Sequence, residues 1–368
     1  MFYKGVKITH ILLPTIAFIP PSVVSKCLIL QVDTRELDQS LHTSNYHTLS
    51  AVLNFFYARR HSSDYLYFKF NQSRSDFLED VLRLHHVPFL NSTLQKSTEV
   101  SGTYEKKGPS CFHQGLKHFR AAPWTKLLAL WNVTQTLKNY SHVLFLDSDA
   151  AISPRYHNVS LAEKIDQWRS LGKSYDIKNE LTKVRSSRSS SINPAEAAMI
   201  FTDNVPFVPY DRYPCTGAFV LNFHFNVSHV RHRGVDFVAD MLKEWWDTGL
   251  EKRNFNHAYE QDSLWTLLYG NTMHGASKTE LRASSRINDK TVSIVGEHQF
   301  PPFDPRLWVS HVGSPWQNER IRHFKSLLQE LSINESLFEK TVEFIDAECS
   351  RHAKTTDIEN LIFHAPSN

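Results

Sequence analysis

The sequence predicts an α/β fold with a mainly parallel central sheet flanked by helices, and three observations predict it. Continuous apolar runs at Cys27–Val32 (CLILQV), Val143–Leu146 (VLFL) and Gly217–Asn222 (GAFVLN) have the pattern of strands buried on both faces. The first two lead into acidic residues, Asp33 and the pair Asp147 and Asp149, and polar groups at strand carboxyl ends are where open α/β sheets collect their ligands. Segments with helical spacing separate the runs, and such alternation points to a layered sheet.

Each element follows in order. Residues 1–26 place Lys4 and Lys7 ahead of an apolar stretch, Ile11 to Val24, which reads as a signal peptide or a short signal anchor. Pro14, Pro20 and Pro21 interrupt it, and it is shorter than the roughly 20 residues of a membrane helix. The catalytic body is expected over 27–330, with a helical extension and tail over 331–368. After the first strand, Tyr46 to Arg60 spaces Leu49, Val52, Leu53, Phe56 and Tyr57 as a helix does, with Thr43 and Ser44 as candidate caps. Asp64 to Phe70 returns as a strand and completes a β-α-β unit. Residues 71–121 are less regular. Pro123 then opens a helix expected to run through Asn139, with Trp124, Leu127, Leu128, Leu130, Trp131 and Leu137 on its apolar side. Ser141 marks a break before the strand His142–Leu146. The stretch from about Ser170 to Pro214, with SSRSSS at 186–191, reads as a long loop and a candidate lid. Helices follow at Val235–Thr248 and Ala258–Tyr269, strands at Thr291–Val295 and Leu307–His311, and closing helices at Trp316–Leu331 and Leu337–His352.

Composition excludes several classes. The chain has 368 residues, and 41 Lys and Arg against 38 Asp and Glu leave a net charge of +3, so no nucleic-acid partner is implied. Its 4 cysteines contain no C-x-x-C pair, which removes a zinc knuckle and a thioredoxin-type site and leaves room for one or two disulfides. Seven N-x-[ST] sequons, at Asn71, Asn91, Asn132, Asn139, Asn158, Asn226 and Asn334, favour the secretory pathway, Golgi or endoplasmic reticulum lumen.

The chemistry centres on Asp147-Ser148-Asp149. Two carboxylates one residue apart beyond a strand end suit a hard divalent cation that bridges to phosphate oxygens. His311, at the end of a short strand, supplies a third ligand, and an imidazole beside two carboxylates favours Mn²⁺ over Mg²⁺. Gly313 would let backbone N–H groups approach a phosphate. Glu260, Gln261 and Asp262 open a helix; they are either ordinary partners of the helix dipole or groups that satisfy sugar hydroxyls.

Taken in order, QVDT (Gln31–Thr34), W-T-K (Trp124–Lys126), FLDSDA (Phe145–Ala150), TGAFVLN (Thr216–Asn222), EQDSL (Glu260–Leu264) and VSHVGS (Val309–Ser314) resemble a metal-dependent GT-A glycosyltransferase. The likeness is greatest to the galactosyl/xylosyl/mannosyl transferase family that includes fungal α-galactosyltransferases and plant xyloglucan xylosyltransferases. The resemblance implies a single Rossmann-like domain and retention at the anomeric carbon. It implies a UDP- or GDP-sugar donor, a glycan or glycoprotein acceptor, and a metal held by Asp147, Asp149 and His311. Asp33 and Thr34 would line the nucleoside pocket, Lys126 would sit near the donor phosphates, and Glu260, Gln261 and Asp262 would face the sugars. Glycogenin-like relatives place a Lys before the Pro-Trp that follows the metal-binding His. Here Ser314 precedes Pro315-Trp316, which leaves Lys126, Arg320 and Arg322 as candidates for the cation on the leaving diphosphate. A metal-dependent nucleotide-sugar hydrolase or phosphotransferase, or an inactive binding protein on the same fold, are the competing classes. Neither G-x-x-x-x-G-K-[ST] nor a G-x-G-x-x-G after Val32 occurs, which disfavours a P-loop enzyme and a dinucleotide dehydrogenase.

Overall fold

In the computed structural model of the chain, the described residues are 26–69, 109–113, 118–136, 139–171, 192–203, 214–225, 234–248, 259–269, 285–288, 290–295, 308–311 and 317–355. The leader, Gly313, Ser314, Leu137 and the SSRSSS segment lie outside them.

β1 (Lys26–Asp33) and β2 (Asp64–Lys69) pair in parallel, joined by α1 (Tyr46–Arg60). The cap of α1 is Asn45, whose side chain accepts the Tyr46 N–H at 2.8 Å; the Ser44 hydroxyl, expected as a cap, donates instead to Ser40 O. On its other edge β1 pairs in parallel with β5 (Tyr140–Leu146). Ser141 therefore lies inside a strand, where its hydroxyl donates to Lys26 O at 3.2 Å, and is not a break. The preceding helix, α2 (Thr125–Thr136), ends before Asn139, and Pro123 sits in the 3-10 turn Ala122–Trp124 that leads into it.

The sheet continues as β8 (Pro214–Asn222), antiparallel to β5, then β7 (Met199–Asp203) and β9 (Val292–Val295), giving the order β2-β1-β5-β8-β7-β9. Three of its five ladders are parallel and two antiparallel, so the parallel character expected from the sequence holds with β8 as the exception. β7 falls in the stretch expected to be irregular. Its five residues, MIFTD, are too short to declare a period and are completed by pairing with β8 and β9. A small hairpin, β3 (Pro109–His113) and β4 (His118–Ala121), precedes α2.

Side chains alternate across the sheet. Leu28, Leu30, Phe145, Phe201 and Phe219 face one layer, where Trp124 and Leu127 of the α2 region, Trp245 of α4 (Gly234–Asp247) and Leu264 of α5 (Tyr259–Tyr269) cover them. Ile29, Leu144, Leu146 and Val220 face the other, against Tyr57 and the Ile165 and Trp168 of α3 (Leu161–Leu171). Beyond α1, a third core joins Leu49, Val52 and Leu53 to Phe324 and Leu328 of α6 (Gln317–Glu330) and to Phe338 and Val342 of α7 (Glu335–Thr355).

The last expected strand belongs elsewhere. β10 (Val309–His311) does not join the central sheet but pairs antiparallel with β6 (Ala150–Ile152), directly after the Asp-Ser-Asp loop. That short ladder sets His311 opposite Ala150.

Candidate metal and donor site

The Asp-Ser-Asp loop leaves the end of β5 held from several sides. Asp147 N–H donates to Gly217 O on β8 at 2.7 Å. Gln31 on β1 donates its amide to Asp147 O at 3.2 Å, and Ser50 on α1 donates to Ser148 O at 2.6 Å. Asn54, one turn later, donates to Ala150 O at 2.9 Å and accepts the Ile152 N–H at 3.0 Å. Its amide thus serves β6 as a second strand would, on the edge that β10 leaves open. These polar groups carried a signal: Gln31 interrupts an apolar strand, and Ser50 and Asn54 share one helix face at i, i+4.

Fixed in this way, Asp147, Asp149 and His311 bring one ligand atom each within 4.8 Å of one another, and among the described residues they form a group able to hold a metal ion. Asp149 is gripped at both oxygens, by His311 Nε2 at 3.0 Å on Oδ1 and by Arg320 Nη2 at 3.3 Å on Oδ2. Burial works against a charged imidazole at His311, but the charge and hydrogen bond of Asp149 outweigh it and raise the pKa to about 10. His311 Nδ1 faces Cys215 Sγ at 3.8 Å. Gly217 makes room for this ring: a Cβ there would meet His311 Cε1 at 2.5 Å. Two carboxylates and an imidazole with its second nitrogen turned to a thiol match the preferences of Mn²⁺ or a similar ion, so the residues fit such a group.

Lys126, expected near phosphates, is only 4% exposed at its side chain. It bridges Asp147 Oδ1 at 2.8 Å and Glu260 Oε1 at 2.9 Å and donates to Thr216 O at 3.1 Å. Burial opposes its charge, yet the two carboxylates hold its pKa above the ordinary lysine range. The pKa of Glu260 is also raised, in its case chiefly by burial, with Lys126 pulling it back. Its Oε1 also accepts from the Thr216 hydroxyl at 2.8 Å, while Oε2 is buried with no hydrogen-bond partner among the described residues. Gln261 is half-buried, and its Oε1 accepts the Thr216 N–H at 3.0 Å. Asp262 has no exposed surface. Just before these three, Tyr259 holds φ at 49°, a left-handed conformation that a bulky side chain adopts at a cost of order 1–3 kcal/mol, and such outliers gather at functional sites.

At the end of the neighbouring β1, Asp33 Oδ1 accepts Thr34 N–H at 2.6 Å and Arg35 N–H at 2.9 Å, and Arg35 Nη2 clasps Oδ2 at 2.6 Å. Burial favours the neutral acid here, but the Arg35 hydrogen bonds and charge prevail and lower the pKa. Arg35 also reaches the Ser148 hydroxyl at 3.1 Å, which ties the Asp33 turn to the Asp-Ser-Asp loop. Nothing in the sequence marks Arg35 out, since a loop arginine beside an aspartate is common.

No protein-family profile and no curated protein matches the chain. Among solved structures, it is similar to a glycosyltransferase involved in the glycosylation of the major capsid of PBCV-1, with 11% identity over 82% of this chain and 99% of that one and a TM-score of 0.41. It is also similar to the galactosyltransferase LgtC in complex with donor and acceptor sugar analogues, with 11% identity, 86% and 99% coverage and a TM-score of 0.35. The bifunctional WbbM glycosyltransferase gives 12% identity over 89% of this chain and 53% of that one, with a TM-score of 0.34. Likenesses this distant carry no functional weight, which rests on the residues described above.

Proposed function

We propose that the chain is a metal-dependent glycosyltransferase that moves a hexosyl or pentosyl group from a UDP- or GDP-sugar to a hydroxyl of a glycan or glycoprotein, with retention at the anomeric carbon. One observation carries the reading: Asp147, Asp149 and His311 converge at the carboxyl end of β5, tied through Arg35 to Asp33 at the end of the parallel strand β1. That is where an α/β sheet can hold a nucleoside against one strand and its diphosphate against the next.

A Mn²⁺ or Mg²⁺ ion held by Asp147, Asp149 and His311 supplies electrostatic stabilisation to the charge that develops on the departing diphosphate. Asp33 and Thr34 line the nucleoside side, their turn fixed by Arg35. We assign Lys126 to the wall, where it locks Asp147 to Glu260. Gln261 has its carbonyl oxygen engaged by Thr216, so it presents its NH₂ group as a donor to a sugar oxygen. In the transfer, the bond from the anomeric carbon to the diphosphate oxygen breaks with its electron pair going to that oxygen. The acceptor hydroxyl oxygen bonds to the same face, and its proton passes to the departing diphosphate.

The compartment we propose is the secretory lumen, reached through the leader at 1–26 acting as signal peptide or single membrane anchor. No described helix is long and apolar enough to cross a membrane. Asn139, Asn158 and Asn334 are exposed, whereas Asn132 is buried on α2 and its side chain accepts the Thr136 hydroxyl.

The test is an assay of purified protein with a panel of UDP- and GDP-sugars, glycan acceptors and Mn²⁺. Release of nucleoside diphosphate should require acceptor, stop in excess chelator, and disappear in Asp149→Ala. Equal release without acceptor would make the protein a hydrolase instead.

A further inference from the structure

α1 turns one face to the Asp-Ser-Asp loop. Tyr46, Ser50 and Asn54 follow one another at four-residue spacing, which sets them along one side of the helix. Ser50 donates to Ser148 O at 2.6 Å and Asn54 to Ala150 O at 2.9 Å, so these two hold the loop by its backbone. Tyr46 reaches the same loop through two arginines. The guanidinium carbon of Arg35 lies 4.7 Å from the centre of its ring, and that of Arg320 lies 4.6 Å from it. From there Arg35 Nη2 donates to the Ser148 hydroxyl at 3.1 Å, and Arg320 Nη2 contacts Asp149 Oδ2 at 3.3 Å. One half-buried ring thus seats two cations that arrive from the end of β1 and from α6 and finish on adjacent residues of the loop.

The two are held unequally. Both oxygens of Asp33 also clasp Arg35, which keeps it in place independently of the ring. Arg320 has Asp149 as its one ion-pair partner among the described residues, and that contact is at the long end of hydrogen-bond range. Arg322, two residues along α6, is 75% exposed and pairs with Glu319, outside this arrangement. A guanidinium beside two metal-binding carboxylates competes with the metal, because closing further onto Asp149 or crossing to Asp147 uses the same oxygens. The negative face of an aromatic ring offers it another seat.

We propose that Tyr46 is a positioning residue for the metal site: its ring holds the Arg320 guanidinium on Oδ2 of Asp149 and so keeps Oδ1 and the Asp147 carboxylate for the ion. The assignment rests on the metal site described above and asks nothing of the nucleotide or the sugar. Without the ring face, Arg320 keeps its charge, loses its seat and closes on the carboxylates in place of the ion.

The experiment is calorimetric titration of Mn²⁺ into the whole chain. It compares the parent with Tyr46→Phe, Tyr46→Leu, Arg320→Gln and the double variant of Tyr46→Leu with Arg320→Gln, each with its unfolding midpoint. Tyr46→Leu keeps a good helix former and an apolar contact with the third core but removes the ring face. It should weaken Mn²⁺ binding at least about fivefold, the scale of one partly desolvated cation–π contact. Tyr46→Phe keeps the face and should bind within twofold of the parent. In the Arg320→Gln background, Tyr46→Leu should cost less than about threefold, because the cation that the ring restrains is gone. A general loosening of α1 would instead cost the same in both backgrounds. Tyr46→Met carries the same expectation as Tyr46→Leu and keeps the test open if the leucine variant unfolds. A loss below fivefold without the ring, a loss above twofold in Tyr46→Phe, or threefold or more in the Arg320→Gln background each overturns the proposal. A parent that binds no Mn²⁺ defeats the metal site itself, a result distinct from the failure of Tyr46.

Discussion

Gly217 occupies the backbone position against which the His311 ring lies, and a single methyl there is enough to move the ring. The contact it would make at 2.5 Å is closer than Cβ atoms tolerate, while no positive φ forbids alanine at this point of β8. Gly217→Ala should therefore push the ring away from Asp149, lowering the thermal midpoint and weakening Mn²⁺ binding at least about tenfold, a cost of about 1.4 kcal/mol; a titration followed by Mn²⁺ paramagnetic resonance would show the lost binding. Beside it, Cys215 holds the other ring nitrogen, which keeps Nε2 for the metal side. The three residues that open α5 separate by exposure. Gln261→Ala should retain nucleoside diphosphate affinity and lose most sugar transfer, read by calorimetry against transfer rate. Asp262→Ala, because its side chain is fully buried, should instead lower the unfolding midpoint; a stable Asp262→Ala that has lost transfer would return that carboxylate to the sugar site. The sequence made Asp147, Asp149 and His311 legible because a strand end and an acidic pair announce themselves. It was silent on exposure, so the difference between Gln261 and Asp262, and the commitment of Lys126 to two carboxylates, emerged only from packing.

At the scale of elements, the site depends on a ladder of two three-residue strands braced by a helix. β6 and β10 are too short to stand alone, and Asn54 of α1 satisfies the edge of β6 that β10 does not. Asn54→Ala strands a buried carbonyl and a buried N–H, each worth roughly 1–3 kcal/mol. It should lower stability by at least about 2 kcal/mol and weaken Mn²⁺ binding together, read by denaturant unfolding and by Mn²⁺ titration of the same variant. Most elements were readable from apolar runs, helical spacing and proline. β7 escaped because five residues do not establish a period. The partner of β10 escaped because three residues carry no hint of which sheet they join, and the register they adopt sets His311 against Ala150.

Across the whole molecule, one buried and two half-buried histidines shape the response to acid. His142, His157 and His323 are each held near a pKa of about 4, below the usual value near 6.5, first of all by burial. A depressed folded pKa means stability that is complete above about pH 6.5 and is lost as pH falls toward 4, since the unfolded chain takes up protons the folded one refuses. With three such groups, the free energy of unfolding should fall by roughly 3–4 kcal/mol per pH unit around pH 5. Urea midpoints measured between pH 7 and 4.5 check it, and a flat profile across that range would contradict the burial of these rings. The layered α/β architecture was legible in the alternation of strands and helices, whereas the join of α1, α6 and α7 into one core was not, because amphipathic helices do not name their partners. The pairing of His311 with Asp149 also spans 162 residues, and this has a consequence in time. At ribosomal speeds of roughly 5–20 residues per second, the acidic loop exists for about ten to thirty seconds before its imidazole is synthesised. Affinity for the metal is thus among the last properties the growing chain acquires, and an interruption anywhere between the two residues yields a product whose first strands are made but which has never been switched on.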